Sequence, residues 1–463
     1  MQHNKVNHYE LETPGDASRR LATGWLLLAI AALVLGGVLT LLIVLSRTPG
    51  IQTLMPWNDF FHTAIVVHVD LTVLVWFLAC AGMLWSLTGT ACFIRLGWWA
   101  LWLAAAGTAL FTLAPFIGAA QPLMNNYVPV LQNPVFLFGL GLFGSGITLL
   151  VLRGLLTLRP VGLLTRAGGV LRFGLFCAVL TAAVALAALA TTYLSLPSTP
   201  GGRAYFELLF WGSGHALQFT HSQLMLVAWL VLAGAAGVQH GLGRGLVLAL
   251  LALGLAPVVA VPWIYLRYEV TTVEHITAFT RLMRHGGGAA PLVIGAALVF
   301  AALRSRRELS FTPALSALLC SITLFGAGGL IGFLISGVNV TIPAHYHGAI
   351  VAVTLAFMGL AYHLLPRLGY APAALKPAAW QPLIYGGGQL LHVVGLAWSG
   401  GYGVQRKTAG AAQHLDSLPE IAGMALMGLG GLIAVIGGVL FLLMVIKSLG
   451  QGPCHASGAE AVV

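Results

Sequence analysis

The chain has 463 residues, 59% of them hydrophobic and 7% charged. A soluble domain carries about 25% charged residues, so a water-soluble globular protein is excluded and an integral membrane protein is implied. The formal charge of +10 does not point to nucleic acid, because excess Lys and Arg in a membrane protein marks the cytoplasmic loops.

Five cysteines, Cys80, Cys92, Cys177, Cys320 and Cys454, are scattered without CxxC pairing or CxxCH. That excludes a cysteine-based zinc or iron–sulfur site and covalently attached haem. The chain opens on a polar leader, residues 1–22, expected on the cytoplasmic side. The first apolar run begins near Gly24 and is too long for the core of a cleaved signal peptide, so it reads as a first membrane helix.

A membrane span needs about 20 apolar residues. Cutting the chain at Pro/Gly clusters and charges predicts about twelve: roughly 23–46, 58–87, 93–117, 133–158, 167–194, 205–239, 245–266, 276–303, 311–336, 343–365, 379–399 and 419–446. The expected fold class is therefore all-α, a polytopic bundle over 23–447 with a cytoplasmic tail over 448–463. Most of the 22 lysines and arginines fall on the inner side if the N-terminus is inside. The expected placement is multi-pass in a bacterial-type inner membrane, with both termini cytoplasmic.

This topology sorts the histidines by depth. His62 and His68 fall in the outer half of the second span, His215 in the outer half of the sixth, and His275 where the eighth begins. His345 and His347 fall near the outer end of the tenth, in TIPAHYHGAIVAVTLAFMGL. Ionisable groups at membrane depth are costly and mark function, and several converging in one layer outweigh the reading of each as a helix–helix hydrogen bond. Residues i and i+2 of an α-helix leave it roughly 200° apart. His345 and His347 therefore serve two different centres, one on either side of their helix. Neutral imidazole suits haem iron, copper and non-haem iron, so the residues imply a multi-haem redox protein. His68, in VVHVDLTVLVWF, is the best partner for one of the two. A transporter or scaffold with structural histidines is the reading from another class, which a spectrum without haem bands would establish.

With twelve spans, a His in the second, a His in the sixth and AHYH in the tenth, the sequence resembles the catalytic subunit of the haem–copper oxidase superfamily along essentially its whole length. The resemblance implies a subunit I-like bundle holding two haems, one low-spin and one high-spin, and a second metal, copper or non-haem iron. It makes His345 the ligand of the high-spin haem, and His347 with His68 the ligands of the low-spin haem. Arg406 and Lys407, in WSGGYGVQRKT, match the basic pair that holds haem propionates, with Lys in place of the second Arg.

For the second metal the family uses one His in the sixth span and an adjacent pair after the seventh. His215, in FWGSGHALQFTH, matches the first, and LRYEVTTVEHITAFT offers Glu274 and His275 for the pair. His221 and His285 are alternative members of the set, and Glu207 and Glu269 read as solvated charges. Oxygen-reducing members carry a Tyr four residues after the sixth-span His, where this chain has Phe219. Tyr268, with Tyr265 behind it, is the candidate replacement, as in members that place their Tyr on the seventh span. The sixth span also lacks the acid that ends the family's main proton channel, and Asp70 lies near the outer side instead. Phe219, Glu274 and the missing acid favour a nitric oxide reductase-like branch, turning NO into N2O. The alternative is a terminal oxygen reductase making water. Electrons are expected from a small partner subunit, a c-type cytochrome or cupredoxin.

Overall fold

In the computed structural model, residues 9–11, 15–51, 60–118, 120–158, 162–163, 165–196 and 202–451 are described. Most of the expected leader and tail lies outside them. Twelve long helices run in chain order: α1 (Asp16–Arg47), α2 (Phe61–Thr88), α3 (Ile94–Phe116), α4 (Pro134–Thr157), α5 (Ala167–Ser195), α6 (Gly202–Ala235), α7 (Arg244–Arg267), α8 (Val273–Arg304), α9 (Pro313–Phe333), α10 (Thr341–Leu364), α11 (Leu375–Gly401) and α12 (Leu418–Gly450). Each expected span has its helix. The first begins at Asp16, inside the segment expected as leader.

Eleven of these helices are long and apolar enough to cross a membrane; α11 is not among them. Its Gln381 and His392 are buried and it packs on α9, α10 and α12. Its polar and small residues lie on the packed face, while Trp380, Leu391, Val394 and Trp398 are exposed on the other, which is why composition under-reads α11.

Helix starts follow local chemistry. Asn133 caps α4 by accepting from the backbone N–H groups of Val135 and Phe136, with Pro134 in the first turn. Thr312 and Pro313 do the same for α9. Ser417 and Glu420 form a capping box on α12. Such residues satisfy backbone donors that the first turn leaves open.

Sequence neighbours pack as antiparallel pairs, α3 on α4, α5 on α6, α9 on α10 and α11 on α12. The pairing of α11 with α12 rests on glycines seven residues apart: Gly388 and Gly395 on one, Gly423, Gly430 and Gly437 on the other. A Cβ on Gly388 would stand 2.5 Å from the Ala434 nitrogen and 2.8 Å from the Gly430 oxygen. Small residues at this spacing let backbones approach closely where lipid supplies no hydrophobic driving force.

Several helices carry irregularities. Helix α2 passes through a π-helical stretch, Asp70–Val75, just after His68. Helix α7 tightens into 3₁₀ at Ala256–Val259, around Pro257, and α8 breaks between Gly286 and Ala289. Between α3 and α4 lies a feature the sequence reading did not include, an antiparallel hairpin of β1 (Gln121–Leu123) and β2 (Val130–Gln132). Its strands have three residues each, too short for a periodicity to register.

The most enclosed helices are α6, α10 and α2, whose apolar windows are 83%, 78% and 67% buried, against 50% or less in the other candidate spans. These three carry His215, the His345/His347 pair and His68. The histidines therefore sit at the centre of the bundle.

Candidate redox site

The two histidines of α10 leave it on different faces, as their spacing requires. The Nδ1 of His345 lies 2.8 Å from the Gly328 carbonyl oxygen of α9. That reach depends on glycines. A Cβ on Gly328 would come 2.6 Å from the Ala349 nitrogen, and one on Gly332 would come 2.7 Å from the His345 ring. The Nδ1 of His347 lies 2.8 Å from the Pro343 carbonyl oxygen of its own helix. A carbonyl oxygen can only accept, so Nδ1 carries the proton in both rings and Nε2 keeps its lone pair, the state in which imidazole binds a metal.

On the His347 side, His68 is held the same way, its Nδ1 donating to the Gly36 carbonyl at 3.0 Å with the Thr40 hydroxyl at 3.2 Å. His68 and His347 lie within electrostatic range of each other. A third imidazole, His392 of α11, stands beside them with its ring centroid 5.0 Å from that of His347. Tyr346 stacks on His347 at 5.1 Å. Tyr346, His347, His68 and Arg47 are enclosed by protein, yet all keep accessible surface, 37% for Tyr346. Side chains that are both enclosed and accessible line an internal cavity. The Nε and Nη2 of Arg47 are buried without a hydrogen-bond partner among the described residues. An unpaired buried cation is costly, and a carboxylate in the cavity would satisfy it. A haem with propionates fits this pocket.

On α6, His215 donates from Nδ1 to the Trp211 carbonyl at 2.7 Å. His275 is buried in the first turn of α8, whose N-cap Thr272 accepts from its backbone N–H at 3.3 Å. Both rings pack on Phe279, at 5.7 Å and 5.0 Å, and they lie within electrostatic range of each other. Glu274 is exposed, because adjacent residues on a helix point about 100° apart. The structure thus brings His215 and His275 together and leaves Glu274 outside. His221 is buried against Phe77 of α2, its ring centroid 4.8 Å away, and His285 is exposed; neither joins the pair. Among the described residues there is no group of three or more His, Cys, Asp or Glu able to hold a metal. For a second metal, the pocket supplies His215 and His275, two of the three ligands expected, without Glu274.

The position expected to hold a tyrosine confirms its apolar character. Phe219 is buried in a cluster with Ala216, Val258, Val261, Ile264 and Phe279. Tyr268 packs against that cluster at the end of α7, with Arg267 over its ring at 5.8 Å. The Tyr265 ring lies 5.0 Å from His275, but its hydroxyl is bound to Thr192 and the Ala188 carbonyl of α5, at 2.7 and 3.1 Å. A different phenol reaches His215: Tyr127, from the turn of the β1–β2 hairpin, with ring centroids 4.7 Å apart. Its φ is +65°, a region costly for a bulky residue, and its ring occupies the space a side chain on Gly214 would need. Its hydroxyl has no hydrogen-bond partner among the described residues. Burial, and then the Glu207 carboxylate, push the phenol's pKa up, so it keeps its proton. Loop position and the absence of any periodic pattern hid Tyr127 from the sequence. Depth alone would have flagged His392, which shares a layer with His347.

The hairpin also ties down the basic pair. Glu207 accepts from the backbone and side-chain nitrogens of Asn126 at 2.9 and 2.6 Å, and Arg406 donates to the Asn126 side-chain oxygen at 3.3 Å. Lys407 donates to the Met124 carbonyl, and the Lys407 carbonyl accepts from His62 at 3.1 Å. Burial first, then the charges of Arg406 and Arg203, lower the Lys407 pKa to about 8, with Glu207 opposing. This corner stores unneutralised positive charge suited to carboxylates. Asp70 is fully buried in α2, and both its carboxylate oxygens lack hydrogen-bond partners among the described residues.

Comparison with known proteins adds the lineage. Residues 20–440 match the family described as Cytochrome C and Quinol oxidase polypeptide I. An uncharacterized protein of Rickettsia prowazekii (strain Madrid E) is 27% identical over 93% of this chain and 96% of its own. One of Aquifex aeolicus (strain VF5) is 31% identical over 75% of this chain and 85% of its own. A chain from the cryo-EM structure of a heme-copper terminal oxidase dimer superposes with a TM-score of 0.73 at 17% identity, covering 96% of this chain and 86% of that one; at that identity the likeness is one of fold. Twelve helices, imidazoles on both faces of α10 and a match along nearly the whole length lead to one conclusion: the chain is a membrane oxidoreductase of the haem–copper superfamily and belongs to the family of cytochrome c and quinol oxidase polypeptide I.

Proposed function

We propose that this chain is the catalytic subunit of a respiratory oxidoreductase that reduces dioxygen to water, with a low-spin haem between His68 and His347 and a high-spin haem on His345 facing a second metal at His215 and His275. The observation that carries the choice of substrate is the exposure of Glu274. A carboxylate ligand suits a harder ion such as iron. Without it the pocket offers imidazole alone, which suits copper and lacks the carboxylate that argued for iron. Tyr127 supplies the phenol that Phe219 does not.

When bound, the metals of the reactive pocket supply electrons to the substrate. The chain's residues do the rest. His345, His215 and His275 present imidazole nitrogen from three helices. The cluster around Phe219 and Phe279 keeps one wall apolar and excludes water. Tyr127 lays its phenol ring against His215. Arg47, Arg406 and Lys407 neutralise haem carboxylates. The distribution of basic residues puts the hairpin end outside, where a c-type cytochrome or cupredoxin subunit would deliver electrons.

Nitric oxide is the second reading, favoured by Phe219, since coupling two NO into N2O needs no redox phenol. The purified full chain with its partners decides: two haems and one copper, with rapid O2 consumption, are the expected result. Two haems plus a non-haem iron, with N2O formed from NO and O2 left untouched, would favour the second reading.

A further inference from the structure

Three imidazoles share the cavity between α1, α2, α10, α11 and α12, one more than a six-coordinate haem uses. All three are built alike. His68 gives its Nδ1 proton to the Gly36 carbonyl at 3.0 Å, His347 to Pro343 at 2.8 Å and His392 to Met427 at 3.0 Å. In each, the Nε2 keeps its lone pair and is absent from the buried unpartnered atoms, so it opens on accessible space. His392 is nonetheless the least exposed of the three, at 9%, and its ring lies against His347 at 5.0 Å and 45°.

Its place has been prepared by its neighbours. A Cβ on Gly431 would come 3.3 Å from the His392 Nδ1, and one on Gly430 would stand 2.6 Å from the Gly388 oxygen. Both absent side chains let α12 approach closely enough for the Met427 carbonyl to take the His392 proton. Arg47 lies within electrostatic range of His347 and His392 alike. A histidine in the outer half of a membrane helix is expensive; an aliphatic residue would fill the same seam without needing a carbonyl.

We propose that His392 is a positioning residue of the low-spin haem site, holding the ring plane of His347 and thereby setting the electronic properties of the axial ligand. The proposal rests on the assignment of His68 and His347 as that haem's ligands. The rotation of an axial imidazole about its metal bond is fixed by what its ring touches, and outer contacts of this kind tune a bound metal. For His347 those contacts are the Pro343 carbonyl, Tyr346 and His392.

The test uses the haem-loaded full chain and two variants. His392→Phe keeps a flat ring and removes both nitrogens; His392→Gln keeps a donor within reach of Met427. Low-temperature EPR of the oxidised protein and a redox titration of the low-spin haem band are read together. The expected result is a low-spin haem retained in both variants. In His392→Phe the largest g-value moves, and the oxidised-to-reduced ratio at the wild-type midpoint changes at least threefold. His392→Gln should lie between that variant and the wild type. Spectra and midpoints matching wild type in both variants would overturn the proposal. So would conversion of this haem to high-spin in His392→Phe, which would make His392 an iron ligand. If His392→Phe does not fold, the same shift or its absence in His392→Gln decides. A wild-type protein with no six-coordinate haem would instead sink the haem assignment itself, an outcome the same wild-type spectrum displays.

Discussion

At the scale of single residues, the proposed assignment gives each imidazole a separable task. His347→Ala and His68→Ala are each expected to abolish the low-spin spectrum. His345→Ala should leave that spectrum in place and remove the CO-binding haem, as difference spectra with CO would report. Tyr127→Phe is expected to cut O2 reduction at least tenfold, about 1.4 kcal/mol or more in the barrier, with haem spectra unchanged; wild-type turnover in that variant would remove the phenol from the chemistry. Lys407 gives a pH dependence. Its folded pKa of about 8 lies below the ordinary value of about 10.4. Between those values the unfolded chain holds a proton that the empty native site has released, so stability of the empty chain rises with pH there. A haem carboxylate beside Lys407 favours the charged form, so haem binding takes up a proton in that window and haem affinity falls as pH rises above about 8. Haem release measured from pH 7 to 10 should show that fall, and Lys407→Met should flatten it.

At the scale of elements, close helix contacts aim the ligands. Gly430→Ala would set a methyl 2.6 Å from the Gly388 oxygen, and overpacking of this kind costs about 1–3 kcal/mol. The expected outcome is a lowered melting temperature together with a shifted low-spin haem band, because the α11–α12 separation also sets the bond from His392 to Met427. A shifted melting temperature with an unmoved band would show that the seam is structural alone. The β1–β2 hairpin does the corresponding work for the reactive pocket. It carries Tyr127 to His215 on one side and holds Arg406 and Lys407 on the other through Met124 and Asn126. The histidine layer was legible because apolar helices impose a depth on every residue. The hairpin was not, since nothing periodic marks three-residue strands.

At the scale of the whole molecule, burial follows the histidines: the helices that carry His68, His215, His345 and His347 are the ones most enclosed by the others. The two histidines of α10 stand two residues apart and bond to carbonyls on different sides, Gly328 of α9 and Pro343 of α10 itself. On the proposed assignment, electrons pass from the His347 face to the His345 face with no element moving. The expectation for the assembled enzyme is one low-spin and one high-spin haem per chain, found by pyridine haemochrome and EPR quantification. A single haem per chain would contradict the two-sided reading of α10.

What the sequence determined by itself is the frame. Apolar runs cut at Pro/Gly clusters and charges give twelve helices, helical spacing turns His345 and His347 to different faces, and depth gathers His68, His215 and His275 into one layer. Each of these follows from geometry local to a helix. Contact between elements far apart in the chain was decided only by the tertiary structure. The start of α8 turns His275 inward and Glu274 outward, the α11–α12 glycines bring His392 to His347, and a loop lays Tyr127 on His215. Side-chain direction at a helix end, and what a loop reaches, depend on packing between segments that no local pattern records.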